Sequence, residues 1–173
     1  MQSNSMPTIK PFVKSNYERR PNDHYPTIDD RAVVALNNSW DVVTPAIDPC
    51  VGTDPTPLWP ATNGTFRDMK GSAQCVITNP PYKKGDVDLI MDTLITAVIE
   101  KDIVMLAALV RVQWDCAKTR RHMFLPPYAG CIRLQFRPWW SSDRKASPIH
   151  NYQWLIWDNR HTGEPIIRYH DGV

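Results

Sequence analysis

The stretch Cys75-Val76-Ile77-Thr78-Asn79-Pro80-Pro81-Tyr82 decides the fold of this chain. Its first four residues form an apolar run that predicts a buried strand. The two prolines end that strand, because proline fixes its backbone and cannot donate to a sheet ladder. An amide and an aromatic ring, Asn79 and Tyr82, are therefore expected at the carboxyl end of a strand, the edge where open α/β sheets bind their ligands.

The side chains of this turn suit recognition of an exocyclic amino group. Asn79 carries donors and an acceptor, and Pro80 has a free carbonyl but no N–H. Tyr82 offers a flat face on which a planar base can stack. The structural alternative is that the prolines merely stop a strand while Asn79 and Tyr82 fill a turn, since such residues are common in turns.

The signature Thr78-Asn79-Pro80-Pro81-Tyr82 resembles the catalytic motif of amino-group methyltransferases that use S-adenosylmethionine, above all the phage and prophage DNA adenine-N6 methyltransferases. The likeness runs from about Asn16 to Tyr169. Residues 17–37 resemble the family's opening segment and first helix, and three later stretches resemble its last strands and connections: 120–124, 137–140 and 154–158. The resemblance implies a class I methyltransferase-like, Rossmann-like α/β fold, truncated, whose mostly parallel sheet has an antiparallel edge.

The resemblance also implies roles for the turn. Asn79 and the Pro80 carbonyl would accept hydrogen bonds from the N6 amino group of adenine, and Tyr82 would stack on the extruded base. These three residues are the predicted catalytic set, with S-adenosylmethionine as the implied cofactor. RNA and a glutamine amide, which related enzymes accept, are alternative substrates.

The cofactor half departs from the family's pattern. There the first strand ends in Asp-Pro-x-x-Gly-x-Gly, whereas the segment 48–54 here has Asp54 in place of the second glycine. Closely spaced prolines after it exclude the usual helix, and Asn79 follows Asp48 by only 31 positions. The resemblance still assigns cofactor binding to Asp48, Gly52, Asp54 and Asp68. Asp48 and Asp54 as loop acids without a ligand are the alternative.

Basic and aromatic residues concentrate between Arg111 and Lys145, although the net charge of the chain is only +2. Eight basic residues and two acids lie in this region, interleaved with three tryptophans and Phe136. A solvated face is the alternative, but this mixture is typical of phosphate contacts and base stacking. DNA is the predicted partner. The candidate nucleic-acid-binding residues are Lys83, Lys84, Arg111, Lys118, Arg120, Arg121, Arg144 and Lys145.

Length and composition predict one domain, residues 16–173, after a flexible segment 1–15. No apolar run is long enough for a membrane span and residues 1–10 lack a signal-peptide core, so a cytoplasmic location in a bacterial or phage-infected cell is expected. The four cysteines are scattered, without metal-ligand spacing to each other or to histidine. They predict buried, reduced thiols and no metal site.

Periodicity predicts the remaining elements. Helices are expected over 29–37 and 86–99, the second with Asp86 as its N-cap, and a short basic helix over 115–124. A strand covered on both faces is expected over 103–112. The other predicted strands are 42–47, 130–136, 151–157 and 166–169, with 130–136 half-exposed, and 53–71 is predicted to be loop.

Two functions are compatible with these observations. The intact motif at 79–82 favours methyl transfer to adenine in DNA. The shortened cofactor half favours a catalytically inactive, methyltransferase-derived binding protein, either a phage-encoded inhibitor of a host protein or a nucleic-acid or protein binding module.

Overall fold

The computed structural model describes residues 27, 29–50, 61–63, 74–82, 86–140 and 148–173, with the backbone alone for 61–63. Helix α1 spans Asp30–Ser39 and α2 spans Asp86–Ile99. The strands are β1 Ala46–Asp48, β2 Ala61–Asn63, β3 Cys75–Thr78, β4 Met105–Arg111, β5 Tyr128–Leu134, β6 Tyr152–Asp158 and β7 Ile166–His170. Two 3-10 helices, Val112–Cys116 and Lys118–Phe124, connect β4 to β5.

The described strands form one sheet in the order β2-β1-β3-β4-β6-β5-β7. Strands β2, β1, β3 and β4 are parallel to one another, β6 is antiparallel to both β4 and β5, and β7 pairs in parallel with β5. The predicted mixed α/β fold with a mostly parallel sheet is confirmed. The predicted antiparallel strand is present as β6, but it lies between β4 and β5 instead of at the edge, and the edge strand β7 is parallel to its neighbour β5.

A helix covers each face of the sheet. Helix α1 packs with one core cluster, which takes Met105, Ala107 and Leu109 from β4. Helix α2 packs with a second cluster, which takes the alternate residues Leu106, Ala108 and Val110. This double coverage explains why the sequence of β4 is apolar at nearly every position.

Two fully buried tryptophans of β6 join these layers. The Trp154 indole donates to the Ala32 carbonyl of α1 at 2.8 Å. On the opposite face, the Trp157 indole donates to the Met123 carbonyl of the second 3-10 helix at 2.7 Å. Each ring therefore buries its apolar surface while its single polar atom keeps a partner.

The first strand is shorter than predicted. The expected strand 42–47 begins only at Ala46, after Pro45, which has no N–H for the ladder. Val42 and Val43 instead pack their side chains against the core cluster on the α1 face. The Pro45 carbonyl accepts from the Gln74 amide at 3.1 Å, so this segment is tied to the start of β3.

Other predictions need smaller corrections. Residues 61–63 form strand β2 inside the predicted loop, where they pair in register with β1. The expected helix 115–124 is two 3-10 helices, and β5 is almost wholly buried rather than half-exposed. Among the cysteines, Cys75 and Cys131 are buried but Cys116 is exposed.

The two α-helices confirm the periodicity argument. Asp29 caps α1 by accepting from the Arg31 backbone amide, one residue before the helix begins at Asp30. Asp86, the predicted N-cap of α2, is instead the first residue of the helix. Helix α2 buries the predicted apolar stripe, except that Ile90 is only partly buried and Ile99 at its end is exposed. The predicted flexible segment 1–15 lies outside the described residues. No helix in the described part of the chain is long and apolar enough to cross a membrane.

Candidate functional site at the carboxyl edge of the sheet

The strand order reverses direction between β1 and β3, and we call the position beyond the carboxyl ends of these two strands the crevice. From β1 the chain adds β2 on one side and then returns to place β3 on the other side. In open α/β sheets, such a reversal leaves room for a ligand beyond the carboxyl ends of the two strands. Asp48 ends β1 and Asn79 follows β3, so both predicted site residues lie at this position.

Asp48 and Thr78 join the two strand ends. The Thr78 hydroxyl donates to Asp48 Oδ1 at 2.7 Å, and the Cys50 amide donates to the same oxygen at 2.9 Å. Asp48 is only 4% exposed, so its carboxylate is held largely out of water. Burial raises the pKa of the adjacent Cys50 thiol to about 11, which excludes a thiolate nucleophile here at neutral pH.

The turn after β3 is held by side-chain hydrogen bonds. The Tyr82 hydroxyl lies 2.6 Å from Asn79 Oδ1 and 2.8 Å from the Leu109 carbonyl of β4. Asn79 Nδ2 donates to the Thr27 hydroxyl at 3.0 Å. One hydroxyl hydrogen faces two carbonyl-type oxygens, so the Tyr82 hydroxyl can release Asn79 and still retain an acceptor.

Aromatic rings and an arginine surround Tyr82. Its ring meets the Tyr152 ring edge-on at 5.8 Å, and Tyr152 in turn meets Trp140 at 4.8 Å. The Arg111 guanidinium carbon lies over the Tyr82 ring, 5.1 Å from its centre. A planar base can therefore stack on Tyr82 only on the face that Arg111 leaves open, or after Arg111 has moved.

The described residues bring part of the predicted site together. Asp48, Asn79, Pro80 and Tyr82 lie at one edge of the sheet, and Arg111 joins them because it ends the neighbouring strand β4. Thr78, Tyr152 and Thr27 belong to the same region and were not predicted. Thr78 belongs to the quoted signature, although no role was predicted for it. No local pattern marks Tyr152, since the register that sets it opposite Arg111 is a long-range pairing. Seven predicted residues lie outside the described part of the chain: Gly52, Asp54, Asp68, Lys83, Lys84, Arg144 and Lys145.

The other basic candidates lie on the second 3-10 helix. Lys118 and Arg121 are exposed. Arg120 is not a free surface charge, because its guanidinium makes two hydrogen bonds to the Asp88 carboxylate of α2, at 2.8 and 3.1 Å, and lies over the Trp114 ring. Its predicted role in nucleic-acid binding stays a prediction, while the contacts give it a structural role.

Comparisons of the chain with protein-family models, curated proteins and solved structures found no match. Among the described residues, no group of three or more His, Cys, Asp or Glu side chains could hold a metal ion. The site must therefore be interpreted from its own residues.

Proposed function

We propose that this chain transfers a methyl group from S-adenosylmethionine to the N6 amino group of adenine in DNA, and that its sheet is a shortened class I methyltransferase-like sheet. One observation carries the proposal. The Asn79 amide, the Pro80 carbonyl and the Tyr82 ring follow β3 directly, at the crevice beside Asp48. A planar base with an exocyclic amino group suits this combination of acceptors and ring.

The hydrogen bonds of Tyr82 support a specific exchange on substrate binding. The amino group of adenine would donate to Asn79 Oδ1 in place of the Tyr82 hydroxyl. That hydroxyl would keep the Leu109 carbonyl, 2.8 Å away, as its acceptor. The Tyr82 hydroxyl would therefore stay hydrogen-bonded, so the exchange avoids the cost of about 1–3 kcal/mol that leaving this group unpaired would carry.

Catalysis in this proposal rests on positioning. Hydrogen bonds to Asn79 and to the Pro80 carbonyl hold the amino nitrogen in place, and contact with Tyr82 fixes the plane of the base. Restricting the reacting groups in this way is itself a large source of rate enhancement. No side chain with an unusual pKa is required for it.

The residues at the crevice fit part of the implied cofactor. Asp48 is a nearly buried carboxylate beside Thr78. A buried negative charge of this kind can pair with a cationic group of a ligand. Asp48 would therefore hold one end of S-adenosylmethionine, which supplies the methyl group when bound. Gly52, Asp54 and Asp68, the other candidates, lie outside the described residues.

A second candidate function is an inactive, methyltransferase-derived binding protein. The network around Asn79 and Tyr82 favours it, because both side chains are already engaged by protein groups and Arg111 covers one face of the ring. Such a protein would use the same edge to bind a nucleic acid or a host protein without turnover.

Transfer of labelled methyl groups to adenine-containing DNA separates the two functions. The Asn79→Ala variant should lose transfer by at least about a hundredfold, the lower range for losing one such polar contact in a transition state. The matched control is Asn38→Ala, which removes an exposed amide on α1 and should transfer at the wild-type rate. Thermal unfolding of both variants establishes that the fold is intact.

Calorimetric titration with S-adenosylmethionine tests the cofactor directly. Micromolar binding, near −8 kcal/mol, would support the enzymatic function. No heat at millimolar ligand, together with no transfer by the wild-type protein, would overturn it in favour of the binding protein.

A further inference from the structure

Arg111 differs from the three described arginines that form ion pairs. Arg31, Arg120 and Arg160 each pair with a carboxylate, Asp29, Asp88 and Asp158 respectively. Within the described residues Arg111 pairs with no acid, and its Nε is buried without a hydrogen-bond partner. It ends β4 with its guanidinium over the Tyr82 ring. In the described part of the chain, a positive charge without a carboxylate partner therefore lies next to the proposed catalytic turn.

The segment 148–151, which carries His150 and contacts Arg137, lies at the end of β4, where Arg111 is the last residue. Arg137 donates to Asn151 Oδ1 at 3.0 Å and to the Pro148 carbonyl at 3.3 Å. It therefore contacts residues on both sides of His150 in the sequence. The Asn151 carbonyl accepts from Val112, the residue after Arg111, at 3.0 Å. These contacts bring the segment 148–151 to the end of β4.

The electrostatics of His150 agree with this arrangement. Burial lowers the pKa of His150 below its ordinary value, and the positive charges of Arg111 and Arg137 lower it further. This shift favours the neutral ring, which can donate one N–H without adding charge. Arg137 also lacks a carboxylate partner within the described residues, since both of its acceptors are uncharged.

We propose that Arg111, Arg137 and His150 bind a backbone phosphate of the DNA strand that carries the target adenine. This inference rests on the proposed function and specifies which part of the DNA is held beside Tyr82. Guanidinium groups bind phosphate oxygens through short, charge-assisted hydrogen bonds, and within the described residues neither Arg111 nor Arg137 forms an ion pair with a carboxylate. A phosphate at this position would fix the register of the strand while the turn 79–82 contacts the base.

The test measures the affinity of the protein for a short fluorescein-labelled DNA duplex containing adenines, at a series of salt concentrations. Fluorescence anisotropy reports the binding. Arg111→Gln and Arg137→Gln should each weaken binding by about tenfold at low salt. Each should also reduce the slope of log affinity against log salt by about 1, the effect of losing one phosphate contact. Arg111→Lys should keep most of the slope, because it keeps the charge.

Lys101→Gln is the matched control. It removes one exposed positive charge just before β4, at the opposite edge of the sheet from Arg111, and it should leave the salt slope unchanged. Arg137 is exposed, so its variant should fold even if the partly buried Arg111→Gln variant does not; thermal unfolding checks both. An unchanged slope in the arginine variants, or an equal loss in Lys101→Gln, would overturn the inference.

The same variants distinguish failure of the inference from failure of the proposed function. Arg111-dependent DNA binding without methyl transfer would overturn the activity and support the phosphate site. If the wild-type protein transfers methyl groups but the Arg111 and Arg137 variants bind DNA as tightly as it does, the activity is supported and the phosphate site is overturned. Absence of DNA binding by the wild-type chain would overturn both, and tighter Arg111-dependent binding of RNA of the same sequence would overturn the assignment to DNA.

Discussion

At the scale of single residues, Tyr82 connects the proposed chemistry to the sheet. Its ring packs against the core on the α1 face and its hydroxyl bonds the Leu109 carbonyl of β4. The same hydroxyl contacts Asn79. The Tyr82 hydroxyl therefore helps to position the Asn79 amide. The ring of Tyr82 has a separate role, because it packs against the core and offers the proposed stacking face.

The Tyr82→Phe variant separates those roles. It keeps the ring but removes both hydroxyl contacts, so we expect the free energy of unfolding to fall by about 1 kcal/mol. Methyl transfer should persist, reduced by up to about tenfold, because the acceptors and the stacking face remain. Tyr82→Ala should lose much more activity, since it also removes the ring. Urea unfolding and single-turnover transfer measure the two effects, and equal activity losses in both variants would contradict the separation.

Sequence reasoning could predict Asn79 and Tyr82 because their positions depend on local chemistry. An apolar run stopped by two prolines places the following residues at a strand end whatever the rest of the chain does. It could not predict His150 or Arg137 beside Arg111. Their proximity depends on the antiparallel register of β4 and β6, in which residues 41 positions apart, Arg111 and Tyr152, lie opposite each other.

At the scale of secondary-structure elements, one cluster holds the two 3-10 helices against α2. Asp88 accepts from the Trp114 indole at 3.1 Å and from Arg120 Nε at 2.8 Å. Arg120 also donates to the Trp114 carbonyl at 2.5 Å and lies 4.7 Å from the centre of its ring. The segment that follows Arg111 is therefore fixed by a tryptophan, an arginine and one carboxylate.

Two neighbouring arginines on the second 3-10 helix should respond differently to substitution. Arg120→Gln breaks the Asp88 contacts and the stacking on Trp114, so the free energy of unfolding should fall by about 1–2 kcal/mol in this partly exposed cluster. Arg121→Gln, at an exposed position, should change it by no more than about 0.5 kcal/mol. Urea unfolding of the pair measures the difference. Equal effects would show that the cluster does not stabilise the fold.

Element prediction failed where long-range contacts overrode local pattern. The alternation in 130–136 predicted a half-exposed strand, yet β5 is enclosed by β6 on one side and β7 on the other. Gly130 shows how tightly β7 approaches. It has φ +139°, and a Cβ there would overlap the backbone of Ile166. The strand predicted over 103–112 is confirmed as β4, Met105–Arg111, because a continuous apolar run of this length is typical of a strand covered on both faces.

At the scale of the whole molecule, a buried carboxylate at the far edge of the sheet ties β6 to the segment after α1. Asp158 ends β6 and is 3% exposed. It accepts from Trp40 Nε1 at 3.1 Å and from the Arg160 guanidinium at 2.8 and 3.0 Å. Arg160 also contacts Asp41, so the edge opposite the functional site is closed by an ion-pair network.

The pH dependence of stability should reflect this network. Burial alone would raise the pKa of Asp158, but hydrogen bonds from Arg160 and Trp40 outweigh it and hold the pKa below its ordinary value. A carboxyl group whose pKa is lower in the folded than in the unfolded chain binds fewer protons when folded, so its stabilising effect is complete above the unfolded pKa, about 4. That effect is lost as pH falls through the folded pKa.

We therefore expect the free energy of unfolding, measured with urea between pH 7 and pH 2.5, to decline below about pH 4. Asp158→Asn should lower the free energy of unfolding at neutral pH by about 1–3 kcal/mol, because the charge-assisted bonds are lost. It should also make the decline at acid pH shallower, because one fewer carboxyl group takes up a proton on unfolding. Arg160→Gln should weaken the same dependence while leaving the carboxylate in place. An Asp158→Asn profile that parallels the wild-type curve throughout would show that acid unfolding is governed by other carboxylates.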